Sequence, residues 1–108
     1  MLDGIRELAA QYGAELNIHG DYPAWEYREN SRLRDKMTEV FAKMYGRKPT
    51  VETVHAGLEC GLLGEKIAGF DVVSLGPDMW DIHTANEHLS VSSTKRVYEF
   101  LRNVLKEL

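Results

Sequence analysis

Apolar residues recur at helical spacing in three stretches of the chain, which predicts three amphipathic helices. The first covers residues 5–12. The second begins after capping residues 30–31 and ends at Gly46, where a glycine stop is expected. The third has a broad apolar face over residues 97–108 and a polar cap near residues 92–93.

Segments rich in β-branched or alternating residues lie between these helices. Residues 14–19, 50–55 and 70–75 are each predicted to form a strand. Residues 56–63 are predicted to form a tight turn into a short helix, and residues 78–90 are predicted to form a loop without a clear period. Strands that alternate with helices indicate an α/β layered fold in which at least the last two strands are parallel.

The composition narrows the class of protein. The 108 residues, of which 44% are hydrophobic, suit one domain with a core. A formal charge of −4 without a basic patch argues against nucleic acid as a partner. The single Cys60 excludes an internal disulfide and a zinc site of the CxxC type. Because no leader pattern and no apolar run of about 18–20 residues is present, we expect a cytoplasmic protein that does not bind membranes.

Two polar clusters follow the later predicted strands, where ligands gather in open α/β sheets. In the first, residues 55–61, helix-start amides and His55 can bind a carboxylate, or the glycines can serve backbone geometry alone. Cys60 with His55 is a possible nucleophile pair, and a small buried side chain is the alternative for Cys60.

The second cluster, residues 81–88, contains His83, Glu87 and His88. These residues can supply part of a metal site, although a catalytic zinc usually has three protein ligands. The alternative is a loop whose histidines are held by hydrogen bonds. His19, on the first predicted strand, is interpreted as a structural or surface residue.

Four sequence strings of the chain are characteristic of one enzyme family. Residues 20–25 are GDYPAW, residues 55–61 are HAGLECG, residues 73–77 are VSLGP and residues 83–87 are HTANE. Together they strongly resemble the C-terminal end of the aminoacyl-histidine dipeptidases. These enzymes are also called Xaa-His or cytosolic non-specific dipeptidases, and they belong to the M20 metallopeptidases.

The resemblance implies a piece of a larger architecture. Family members have an α/β catalytic domain with two metal ions, usually zinc, and an inserted lid domain. Residues 1–21 would be a helix and strand remaining from the lid. Residues 22–108 would be the C-terminal part of the zinc-peptidase-like catalytic domain, a partial three-layer α/β sheet with parallel strands.

The resemblance also assigns roles to five residues. His83 matches the last metal-binding histidine of the family, and Glu87 matches an acidic position expected to orient the same loop. His55, Gly57 and Glu59 occupy the segment that holds the carboxylate of the dipeptide substrate, although some relatives have arginine where this chain has His55. No catalytic residue is carried over, because the HxD segment, the paired glutamates and the other carboxylate ligand are absent from the 108 residues.

These expectations lead to a main hypothesis and two alternatives. The main hypothesis is a portion of a zinc-dependent dipeptidase that is inactive alone and self-associates into a homo-oligomer through surface left uncovered. The first alternative is a non-catalytic α/β binding module that uses exposed aromatic residues and sheet edges. The second is an enzyme that depends on Cys60 and His55.

Overall fold

The computed structural model describes residues 1–54 and 56–108. His55, predicted to bind substrate and to pair with Cys60, lies outside the described residues. The regular elements are helices α1 (Leu2–Gln11), α2 (Arg32–Tyr45), α3 (Glu59–Lys66) and α4 (Val91–Glu107), and strands β1 (Met79–Trp80) and β2 (His88–Leu89).

Helix α2 confirms the sequence prediction at both ends. The Ser31 hydroxyl accepts the backbone N–H of Arg34, which satisfies one of the unpaired donors at the helix start. Gly46 ends the helix with φ at 69°, in the left-handed region where glycine has no steric cost. Helix α4 begins slightly earlier than predicted, because Ser90 rather than residue 92 or 93 accepts the capping N–H.

The core lies between α2 and α4, the two longest helices. The Phe41 and Phe100 rings meet edge to face with centroids 5.6 Å apart. The C-terminal ends of the two helices lie side by side, because Lys43 donates to the Glu107 carboxylate at 2.7 Å. The buried apolar side chains of this core are Met37, Val40, Phe100 and Val104.

The predicted strands are the main difference between expectation and structure. Residues 14–19, 50–54 and 70–75 are not in strands, and no parallel pairing occurs in the part of the chain that the structure describes. A central parallel strand needs a neighbour on each side for its backbone hydrogen bonds. The described residues supply no such neighbours, so the predicted parallel sheet is absent here and the observed fold is mostly helical.

The observed sheet lies where the sequence predicts a loop. Strands β1 and β2 pair antiparallel, with Met79 opposite Leu89 and Trp80 opposite His88. Each strand has only two residues, which is too short to show an alternating pattern in the sequence. The pairing turns part of the predicted 78–90 loop into a hairpin.

The molecule is extended and thinly packed. Its principal extents are 60 × 38 × 23 Å and its radius of gyration is 19.2 Å. A compact domain of this length has a radius of gyration of about 13 Å. Helix α1 contributes to the extension because none of its residues is buried. None of the helices in residues 1–54 and 56–108 is both long and apolar enough to cross a bilayer.

Candidate functional site

The hairpin presents the loop of residues 81–87 at the N-terminal end of α4. The Ser90 N–H donates to the Asp78 carbonyl at 3.0 Å, which adds one more bond below the β1–β2 pair. The Asp78 N–H donates in turn to the Ser93 hydroxyl at 2.6 Å, and Ser93 is only 3% exposed. The base of the hairpin is therefore fixed to a well-formed helix.

Hydrogen bonds inside the loop define its path. The Glu87 carboxylate accepts the backbone N–H of His83 at 3.0 Å, across the open side of the loop. The Thr84 hydroxyl donates to the Asp81 carbonyl at 2.7 Å and accepts the Asn86 N–H at 3.2 Å. These bonds span five of the seven loop residues and give the loop one defined shape.

Two loop residues other than glycine have left-handed backbone conformations. The φ angle is 52° at Asp81 and 66° at His83. Such angles are uncommon for a residue with a Cβ atom, although Asp and His adopt them more readily than most, and strained residues of this kind cluster at functional sites. The His83 side chain is exposed to solvent.

The ligand set near His83 is incomplete for a metal ion. A neutral imidazole on an exposed loop is a suitable zinc ligand. However, no three His, Cys, Asp or Glu side chains among residues 1–54 and 56–108 converge to hold a metal. His83 therefore fits as one ligand, but the described residues do not form a metal centre by themselves.

The glycines of the HAGLECG segment lie against the segment that begins at Tyr22. A Cβ atom on Gly57 would lie 3.1 Å from Cδ1 of the Tyr22 ring. A Cβ atom on Gly61 would lie 3.0 Å from the Pro23 carbonyl oxygen. Both glycines thus permit a close approach between chain segments, as in the geometric alternative considered for this cluster. Glu59 lies exposed in the first turn of α3.

A groove of about 1160 Å³ runs between the two core helices and the irregular segments. It is bordered by α2 and α4, by residues 22–28, 49–54, 56–58 and 72–76, and by Asp78. Among the predicted site residues that the structure describes, Gly57 lines this groove, whereas Glu59, His83 and Glu87 do not. The structure therefore does not bring the two predicted clusters together in one cavity.

Asp71 makes a connection that the sequence interpretation missed. Its carboxylate accepts the Leu33 N–H at 3.0 Å and the Ser31 hydroxyl at 2.6 Å, which ties residue 71 to the start of α2. These hydrogen bonds lower the pKa of the Asp71 carboxyl. The bond from the Leu33 N–H is the largest cause, and the bond from the Ser31 hydroxyl is the next. The available clue was the one charged residue in the mostly apolar run of residues 70–75.

Comparisons with known proteins agree with the motifs. No family model matches the chain. Over 108 residues, all of this chain, it is 32% identical to the cytosol non-specific dipeptidase of Escherichia coli strain K12. It also matches the crystal structure of aminoacylhistidine dipeptidase from Vibrio alginolyticus, with a TM-score of 0.79 and 28% identity over 98% of this chain.

The chain matches only part of each of these two proteins. The chain spans 22% of the length of the Escherichia coli protein and 22% of the Vibrio alginolyticus chain. The resemblance to the aminoacyl-histidine dipeptidases is confirmed along the whole sequence. It concerns about one fifth of such an enzyme.

Proposed function

We propose that the chain is the C-terminal part of a metal-dependent dipeptidase that hydrolyses Xaa-His and other dipeptides in the cytoplasm. The observation that carries the proposal is the 32% identity to a cytosol non-specific dipeptidase over all 108 residues. The TM-score of 0.79 to an aminoacylhistidine dipeptidase supports it from the structural side. Residues 1–21 then belong to the lid, and residues 22–108 belong to a catalytic domain whose parallel sheet includes neighbouring strands from outside this chain.

Within this proposal, His83 is one ligand of a zinc site that uses two ions in the family. The exposed ring, the left-handed backbone and the hydrogen bond from the His83 N–H to Glu87 support a loop built to present this side chain. Glu87 acts by orienting the loop. The other ligands and the general base are absent from the 108 residues, so the chain alone does not hydrolyse dipeptides.

The substrate-binding role of His55, Gly57 and Glu59 stays part of the proposal. Gly57 lines the groove. Glu59 lies at the start of α3, where the backbone N–H groups of the first turn favour the binding of a substrate carboxylate. The partners of the chain are a dipeptide substrate in the intact enzyme and further copies of the same protein. Nucleic acid and membranes are not among the expected partners.

A loop graft tests the metal-ligand role directly. Residues 79–89 of this chain replace the aligned residues of the Escherichia coli relative, and hydrolysis of a Xaa-His dipeptide is measured with bound zinc quantified. We expect the graft to retain zinc and activity. His83→Ala within the graft should lower both by more than about 100-fold, because a lost ligand weakens a site more than a lost supporting contact does. Met79→Leu is the matched control and should change neither.

A second assay tests the inactivity of the chain alone. The 108-residue protein is incubated with dipeptide and added zinc or manganese, in parallel with its His83→Ala variant. We expect no turnover from either protein. Turnover by the unmodified chain that disappears in His83→Ala would contradict the proposal, because the chain would then hold a complete site.

A further inference from the structure

The neck of the 81–87 loop is closed by two stacked rings. Trp80 and His88 are direct partners in the β1–β2 pair. Their ring centroids lie 5.4 Å apart with an angle of 18° between the ring planes. Stacked aromatic pairs across two strands stabilise the pairing beyond the area that they cover. The stack therefore fixes the distance between the two ends of the loop.

His88 also reaches into the loop that it closes. Its Nδ1–H donates to the Asn86 carbonyl at 2.7 Å, and the same nitrogen lies 3.8 Å from the Asp81 carboxylate. Because the acceptor is a carbonyl, this bond requires a hydrogen on Nδ1, which both the protonated ring and one neutral tautomer provide. The His88 side chain thus lies close to Asp81 at the start of the loop and is bonded to Asn86 near its end.

Above the neck, the described contacts that hold the loop in shape are hydrogen bonds within the loop itself. Residues 81–89 are all exposed, and the described contacts of the loop to α4 are made below the neck through Asp78, Ser90 and Ser93. His83 nevertheless has a left-handed backbone with φ at 66°, which a free loop would leave for a more favourable conformation. The neck and the internal hydrogen bonds must together oppose that change.

We propose that His88 is a positioning residue for His83. By stacking on Trp80 and donating to the Asn86 carbonyl, His88 keeps the loop ends together, so that Glu87 can receive the His83 N–H and the His83 ring is presented in one orientation. The functional meaning of this orientation rests on the proposed function, but the contact itself can be tested without any metal.

Amide hydrogen exchange of the 108-residue chain, followed by NMR without metal, measures how well the hydrogen bond from the His83 N–H to Glu87 is maintained. We expect His88→Ala to raise the exchange rate of the His83 amide by about 5- to 10-fold, because the stack and one hydrogen bond are lost. The buried Val104 amide of α4 and the thermal midpoint should stay unchanged, which a general loss of stability would not allow. His88→Phe keeps the stack and should restore most of the protection, and His19→Ala serves as the control.

Three outcomes would overturn the proposal. The first is a His83 amide that exchanges without protection in the unmodified chain. The second is an unchanged exchange rate of that amide in His88→Ala. The third is an equal change of this rate in His88→Phe and His88→Ala, accompanied by faster exchange in α4. Since no metal is present, such a failure leaves the ligand role of His83 to the loop graft. A failed graft, conversely, leaves the exchange result standing.

Discussion

Two glycines one turn apart in α3 have different surroundings and therefore predict opposite effects of substitution. A Cβ atom at Gly61 would meet the Pro23 carbonyl at 3.0 Å, whereas a Cβ atom at Gly64 would meet nothing within 4 Å. We expect Gly61→Ala to lower the free energy of unfolding by about 1–3 kcal/mol through overpacking against backbone. Gly64→Ala should raise it by up to about 1 kcal/mol, because alanine favours helix. Urea unfolding followed by circular dichroism measures both.

The two variants control each other, because they add the same methyl group to the same helix. Equal effects would mean that the segment beginning at Tyr22 does not pack against α3 as the structure has it. In the sequence, backbone geometry is one of two explanations for the glycines of residues 55–61. The sequence could not identify the partner, because residues 23 and 61 are 38 positions apart.

The Asp71 carboxylate predicts an acid-sensitive contribution to stability. Its hydrogen bonds lower its pKa in the folded chain, so the stabilisation is present above the ordinary value of 3.8 and is lost as the pH falls through the lowered value. We expect Asp71→Asn to destabilise the chain by about 1 kcal/mol near neutral pH. The difference from the unmodified chain should shrink in acid.

Urea unfolding at several pH values below neutrality checks this prediction. Asp21→Asn, which removes an exposed carboxylate outside the regular elements, is the control and should follow the unmodified chain. A difference between Asp71→Asn and the unmodified chain that does not change with pH would be evidence against the charged hydrogen bonds. Ser31 was predicted as a cap from local sequence, but its bond to Asp71 was not, because that contact joins residues 40 positions apart.

At the scale of elements, the α2–α4 pair determines how stable the chain is. Val40 is 1% exposed between these helices, whereas Val91 is 81% exposed at the start of α4. We expect Val40→Ala to cost about 2 kcal/mol, from the lost apolar burial and the cavity left behind. The same substitution at Val91 should stay within about 0.5 kcal/mol. Thermal or urea unfolding of the two variants gives the comparison, and similar losses at both positions would refute this packing.

Element prediction succeeded where the cause is local and failed where it is not. The apolar stripe and end residues of α2 specify a helix without help from the rest of the chain. The β-branched residues of 50–54 and 70–75 favour strands only if neighbouring strands complete the ladder, and the described residues contain none. The β1–β2 hairpin was missed for the opposite reason, since its cross-strand ring pair and helix anchor leave no periodic pattern.

At the scale of the whole molecule, the chain exposes more surface than a compact monomer of its mass, and it spans 22% of the length of the dipeptidases that it resembles. The accessible surface is 9136 Å², whereas a folded monomer of this mass exposes about 6,100 Å². The motifs identified the resemblance from the sequence alone, but the groove between the core helices and the irregular segments has no local signal in the sequence. The motif strings made His83 a candidate ligand, which stays a prediction, and they could not predict that the described residues leave the two clusters unconnected.

The excess surface predicts that the chain self-associates in solution. The difference of roughly 3,000 Å² is several times the ~800 Å² per partner that a stable interface needs. A second copy is the available partner for the isolated chain, and the groove supplies exposed apolar side chains such as Val54, which is 62% exposed. Sedimentation over a range of concentrations should therefore show a dimer or larger species rather than a monomer.

A charged residue placed in the groove distinguishes association through the groove from non-specific association. Val54→Asp should weaken association by at least about tenfold, because a charged group in an apolar interface must be desolvated without a partner. Leu105→Asp is the matched control, since Leu105 is 71% exposed on α4 and does not line the groove. A monodisperse monomer at all concentrations would disprove self-association. Equal weakening by the two variants would indicate non-specific association of exposed apolar surface rather than an interface in the groove.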